Sequence, residues 1–203
     1  MADLYLLTPP KIEADFTATL DATLKAGSVS ALQLRLKEHS VSEIETLAPE
    51  LIAISHTHGV SVIMNDDPEL AARLGCDGVH VGQDDASLND ARAIVGPKAI
   101  VGVTCHDSRH LAMTAGERGA DYVAFGAFFE TATKSPKARA DLDILSWWTE
   151  LFELPCVAIG GITIDNAPSV IDAGADYIAV CGGVWSHPEG PEAACAAFTK
   201  LLA

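Results

Sequence analysis

The chain has 203 residues, 49% hydrophobic and 20% charged, with a formal net charge of −15 at pH 7. That length can bury one sizeable core and suits a single α/β domain over residues 1–203. The acidic balance argues against nucleic acid, which requires a basic face, and against docking on an anionic membrane surface.

The first residues carry no basic region and break at Pro9 and Pro10, so they do not read as a signal peptide, and no apolar run is long enough to span a bilayer. Cys76, Cys105, Cys156, Cys181 and Cys195 are odd in number and widely spaced, which implies a reduced cytoplasmic compartment with neither a disulfide framework nor a zinc site.

In chain order, short apolar runs predict strands at residues 4–7, 31–36, 60–64, 78–81, 100–103, 122–125, 156–159 and 177–180, with amphipathic helical stretches between them. Ser42 with Glu45, and Ser87 with Asp90, are spaced as capping boxes, and Asp67-Pro68 reads as an N-cap followed by proline at the first helical position. Gly59, Gly75, Gly119 and Gly174 stand where left-handed C-terminal caps belong. Three joins, Gly75-Cys-Asp-Gly-Val-His80, Gly119-Ala-Asp-Tyr-Val-Ala124 and Gly174-Ala-Asp-Tyr-Ile-Ala179, repeat almost verbatim, as one supersecondary unit used repeatedly would. Eight parallel βα units close best as a (β/α)8 TIM barrel. The runner-up, a doubly wound sheet, usually has a glycine-rich first turn, where this chain has Thr8-Pro9-Pro10.

In such a barrel the chemistry sits at the C-terminal ends of the strands. The second predicted strand alternates, aiming Gln33, Arg35 and Lys37 at the interior face, where polar groups are costly without partners or a ligand. The third ends in Asn65-Asp66-Asp67 and the fourth in His80-Val-Gly-Gln-Asp84-Asp85. Carboxylates from neighbouring strand ends can share Mg²⁺ with substrate phosphate oxygens; Asp66 and Asp85 are the expected ligands, Asp67 a helix cap and Asp84 a loop residue. The fifth leads into Thr104-Cys105-His106-Asp107, with Asp107 expected to cap the next helix.

After the sixth, Thr131, Thr133 and Lys134 put two hydroxyls and an ammonium into one loop, as an anionic, phosphate-type ligand needs. Gly160-Gly161 after the seventh and Cys181-Gly182-Gly183 after the eighth match phosphate sites made of backbone amides ahead of helix N-termini. One end offers cations and a metal, the other glycine amides. Together they suit two phosphorylated small molecules.

With these residues in this order, Gln33-Leu-Arg-Leu-Lys37, Asn65-Asp66-Asp67, Asp77 to Asp85, Gly102-Val-Thr104, Thr131-Ala-Thr-Lys134, Ala158-Ile-Gly-Gly-Ile162 and Ala179-Val180, the chain resembles the thiamine phosphate synthase family over essentially its whole length. The resemblance implies transfer of an aminomethylpyrimidine group from its pyrophosphate ester to the ring nitrogen of a thiazole phosphate or its carboxylate form, releasing pyrophosphate. It implies that Gln33, Arg35, Lys37, Asn65 and Lys134 bind the pyrimidine pyrophosphate, with Thr104 near the ring, and that Asp66 and Asp85 hold Mg²⁺. It assigns the thiazole phosphate to Thr131, Thr133, Gly160 or Gly161, and the loop Val180, Cys181, Gly182 and Gly183. Arg35, Lys37 and Lys134 would stabilise the departing pyrophosphate in a dissociative substitution, which requires no general base.

Leu36, Ala127, Glu130 and the pair Cys181-Gly182 depart from the family pattern, the last replacing a common phosphate-binding serine. Two rivals are a thiazole tautomerase, for which His106 fits, and a catalytically silent barrel that binds thiamine precursors; the carboxylate pair and the Thr-Ala-Thr-Lys loop favour the synthase. The partners expected are small molecules alone, with room for a homo-oligomer of this chain.

Overall fold

The computed structural model describes residues 2–13, 15–130 and 139–203. Strands β1 (Asp3–Leu7), β2 (Ala31–Leu34), β3 (Ser61–Asn65), β4 (Gly78–Val81), β5 (Ile100–His106), β6 (Tyr122–Phe125), β7 (Cys156–Ile159) and β8 (Tyr177–Val180) pair in parallel around a closed barrel. Helices α1 (Phe16–Ala26), α2 (Val41–Thr57), α3 (Pro68–Leu74), α4 (Leu88–Val95), α5 (Arg109–Glu117), α6 (Asp143–Leu151) and α7 (Ala167–Asp172) follow the first seven strands in turn, and α8 (Gly182–Trp185) and α9 (Pro191–Leu202) follow β8. This is the expected TIM barrel. Among the described residues no helix is long and apolar enough to cross a membrane.

Successive strand side chains face opposite ways, and the sequence uses the two faces differently. Leu4, Leu6, Leu32, Leu34, Val62, Met64, Val79, Val81, Val101 and Val103 enter the apolar layer beneath the helices. Tyr5, Leu7, Ile63, Tyr122, Ala124, Val157 and Ala179 fill the barrel interior. Two glycines make room there. A Cβ on Gly102 would fall on the ring of Tyr122, and one on Gly78 on the Ile100 carbonyl. On the helical side, fully buried Trp148 stacks on Phe152 at 4.2 Å between ring centroids and donates its indole N–H to the Leu154 carbonyl at 2.7 Å.

The floor of the barrel explains the repeated Gly-x-Asp joins. Asp77 accepts the Val62 N–H at 2.7 Å, Asp121 the Val101 N–H at 2.7 Å and Asp176 the Cys156 N–H at 2.8 Å. The backbone N–H of each aspartate returns to the carbonyl of that same partner residue, at 2.8, 2.9 and 3.1 Å. Each join therefore sews an even-numbered strand to the odd-numbered one before it.

Local punctuation corrects the sequence in places. The cap of α2 is Ser40 with Glu43, a complete capping box; Ser42 and Glu45 satisfy the same spacing, but Glu45 instead takes Arg73 of α3 at 3.0 Å. Ser87 and Asp67 cap α4 and α3 as expected. The cap of α5 is Ser108 rather than Asp107, because β5 runs on through His106 with a bulge against β6. Gly59, Gly75, Gly119 and Gly174 all have positive φ at helix ends. Strand β2 stops at Leu34, two residues early, because the Arg35 N–H leaves the ladder for the Thr8 hydroxyl at 2.8 Å.

Candidate active site

The C-terminal mouth of the barrel opens into a cavity of about 800 Å³. Its lining includes Gln33, Arg35, Lys37, Asn65, Asp66, Asp85, Thr104, Gly160, Gly161, Cys181, Gly182 and Gly183, residues from six strand ends. Two sequence expectations change. Arg35 and Lys37 reach the mouth from the turn above β2 and not from the strand itself. Val180 does not line the cavity; its side chain is buried in the layer under the helices, because the β8 alternation turns Ala179 inward. Residues 131–138, with Thr131, Thr133 and Lys134, lie outside the described residues.

The acidic corner is built by strand ends. Asp66 has φ of 67°, a left-handed conformation that aspartate tolerates better than most residues, and its N–H is held by the His80 carbonyl at 2.8 Å. Its carboxylate pairs with the Lys37 ammonium. Asp85 folds back on its own turn and accepts the Gly82 N–H at 2.8 Å. Partial desolvation of its carboxyl raises the Asp85 pKa, and the neighbouring Asp66 charge adds to the rise, while the Gly82 amide and Lys37 oppose it.

Carboxylates from two neighbouring strand ends, brought to one corner of the mouth, fit a shared divalent cation. The described residues hold no group of three or more histidine, cysteine, aspartate or glutamate side chains able to bind a metal. A pair suits Mg²⁺ completed by phosphate oxygens and water better than an all-protein cage.

Beneath this corner runs a chain of polar contacts that sequence reading missed. The Gln33 Nε2 donates to the Tyr5 hydroxyl at 3.0 Å, which meets the Tyr122 hydroxyl at 2.9 Å. Tyr122 meets His80 Nδ1 at 2.8 Å, and His80 Nε2 meets the Thr104 hydroxyl at 2.7 Å. Gln33 is therefore an interior residue, 3% exposed, with a polar partner. Burial pushes the Tyr5 hydroxyl up to about 12 and that of Tyr122 well above its ordinary value, so both stay protonated. The only sequence signal was Tyr5 and Tyr122 standing at interior positions of strands otherwise rich in small and aliphatic residues.

Across the mouth, Gly160 and Gly161 have φ of 105° and 66°, and side chains there would strike Ala127 and the Glu130 carbonyl. These glycines therefore let the loop after β6 lie against the loop after β7, with the Phe129 N–H bonded to the Gly160 carbonyl at 3.0 Å. A Cβ on Gly182, at the start of α8, would meet nothing within 4 Å, whereas one on Gly183 would strike the Ile162 carbonyl. The Cys181 thiol lies 3.6 Å from the Thr8 carbonyl, and burial raises its pKa although Arg35 lowers it, so it is a neutral thiol turned to the barrel wall. His106, at the bulge with φ of 56°, also lines the cavity.

Residues 4–184 match the family model described as Thiamine monophosphate synthase. The chain is 58% identical over 200 residues to a thiamine-phosphate synthase from Rhodospirillum centenum, covering 98% of this chain and 97% of that one. It is 51% identical over 205 residues to a thiamine-phosphate synthase from Erythrobacter litoralis, covering 98% and 95%. Among solved structures it superposes on a thiamine phosphate pyrophosphorylase from Pyrococcus furiosus with a TM-score of 0.87 and 28% identity, over 98% of this chain and 95% of that one.

Proposed function

The chain belongs to the thiamine monophosphate synthase family, and we propose that its barrel mouth makes thiamine phosphate by joining 4-amino-2-methyl-5-pyrimidinylmethyl diphosphate to 4-methyl-5-(2-phosphoethyl)thiazole, or its carboxylate form. The bond from the pyrimidine methylene to the diphosphate oxygen breaks, the electron pair leaves with pyrophosphate, and the thiazole nitrogen lone pair forms the new C–N bond. No proton moves, so no general base is needed. An electron-rich aminopyrimidine spreads the developing cation, which leaves the protein two tasks: stabilising the departing diphosphate and holding the thiazole in line.

Arg35 and Lys37, with Lys134 from the loop after β6, supply positive charge for the leaving group. Mg²⁺ bound by Asp66 and Asp85 would add charge on the diphosphate oxygens. Gln33, Asn65 and Thr104 hold the pyrimidine. The amides of Gly160, Gly161, Gly182 and Gly183, with Thr131 and Thr133, take the thiazole phosphate. Cys181 contributes backbone only, since its thiol is turned to Thr8. We take residues 1–203 as one domain acting on small molecules in the cytoplasm.

The observation that carries this assignment is one cavity with a cation-flanked carboxylate pair on one side and glycine turns on the other. Thiamine phosphate formation from both substrates tests it. Asp66→Asn and Asp85→Asn should each lower turnover strongly in a folded protein, and chelation should abolish it; full activity in excess chelator would remove the metal from the scheme.

A further inference from the structure

The chain of contacts from Gln33 to Thr104 can run in one direction at a time. Each hydroxyl has one hydrogen, and a neutral imidazole has one N–H. With Gln33 Nε2 donating to Tyr5 and the imidazole neutral, the one sense that leaves no buried hydroxyl hydrogen without an acceptor sends the Tyr5 hydrogen to Tyr122 and the Tyr122 hydrogen to His80 Nδ1. The imidazole N–H is then on Nε2 and donates to Thr104. That turns the Thr104 hydrogen and the Gln33 carbonyl oxygen to the cavity that both residues line. Reversing a single link sets two hydrogens, or two lone pairs, face to face inside the barrel, which is costly where Tyr5 and Tyr122 are 3% and 7% exposed.

We propose that this chain is a one-way hydrogen-bond wire that makes the cavity select a 4-amino over a 4-oxo pyrimidine ring, with Tyr122 and His80 as positioning residues. The inference rests on the aminopyrimidine substrate proposed above. The ring amine donates to Gln33 Oε1 and a ring nitrogen accepts from Thr104. A 4-oxo ring presents the reverse pattern, an acceptor oxygen beside a donor N–H, and would be accommodated only if the whole wire turned over. Cutting the wire in the middle lets each end reorient alone, so the preference should collapse.

The probes are the 4-amino and 4-oxo forms of 2-methyl-5-hydroxymethylpyrimidine, which carry the ring without its leaving group, so that binding is read apart from reactivity. The wild-type protein should prefer the amino ring by roughly 10- to 100-fold in Kd. Tyr122→Phe and Tyr5→Phe should each reduce that preference to within about threefold, whereas Tyr177→Phe, in a half-buried tyrosine that starts β8 outside the wire, should retain it. Nitrogen-15 NMR of the wild-type imidazole should show His80 protonated on Nε2, with and without the amino ring. A preference unchanged in both Tyr→Phe variants, no preference in the wild type, or a proton on Nδ1 would overturn the proposal. Failure of the wild-type protein to make thiamine phosphate would instead refute the substrate assignment, and the imidazole tautomer would still test the wire.

Discussion

Gly182 offers the cleanest test of where the second phosphate binds. It opens α8 at the mouth, its φ does not lie in the left-handed region, and a Cβ there meets no protein atom within 4 Å. Gly182→Val should therefore fold, because the new side chain displaces solvent or ligand and not protein. If a phosphate approaches the amides of residues 182 and 183, the isopropyl group stands in its path. Losing one hydrogen bond from a backbone amide to a charged oxygen costs about 1.5–3 kcal/mol, or roughly 10- to 150-fold in affinity. The Michaelis constant for the thiazole phosphate should rise by that factor, and that for the pyrimidine diphosphate by less than about threefold. Steady-state kinetics with each substrate varied in turn gives the comparison. Fluorescence of Trp185, whose indole is bonded to the Leu7 carbonyl at 2.6 Å and packs on Phe16, reports both folding and binding. Equal increases for the two substrates in a folded variant would refute this placement. Gly183 cannot serve in its place, since a side chain there strikes the Ile162 carbonyl and would test packing.

Lys134→Ala should lower turnover at saturating substrate by ~10²–10³-fold, the usual loss when one contact to developing charge is removed; a near-normal rate would leave that loop without a catalytic part. Gly102→Ala should destabilise the barrel by about 1–3 kcal/mol, because the added methyl meets the Tyr122 ring, and denaturant unfolding would measure it. Asp176→Ala should cost about 1.5–3 kcal/mol by removing a charged acceptor from the Cys156 N–H, seen as a fall in Tm of several degrees with little change in the Michaelis constants.

The fold was legible because each βα unit repeats the same signals: an apolar run, a capped helix and a positive-φ glycine. The polar residues of the mouth were legible for a related reason, since Gln33 interrupts an apolar strand where interruption is costly, and Asn65-Asp66 and Asp85 gather at or just past the ends of two others. The wire was not. Tyr5 and Tyr122 look like ordinary barrel filling until register and closure bring their hydroxyls to 2.9 Å across the interior. The end of β2 depended on a long-range competitor, the Thr8 hydroxyl, that no local pattern reveals. The choice between Ser40 and Ser42 was degenerate in sequence, and the contact of Glu45 with Arg73 shows how tertiary structure used both. The recurrence of Gly-x-Asp was plain, but its cause lies in a neighbouring strand.

Those aspartates give the barrel a grain. The seams β3 to β4, β5 to β6 and β7 to β8 carry a carboxylate stitch, and at the corresponding seam between β1 and β2 the Ser30 N–H bonds the Leu4 carbonyl at 2.9 Å. The alternate seams are joined at the floor by backbone bonds such as Ile100 to Asp77 at 2.9 Å and Asp3 to Asp176 at 2.8 Å. A cylinder assembled from sewn βαβ quarters has four preferred lines of cleavage, so new termini should be tolerated better between quarters than within one. The same grain separates inheritance from innovation: the lower pole fixes how quarters join, and the upper pole is left to vary its ligands without unpicking the join.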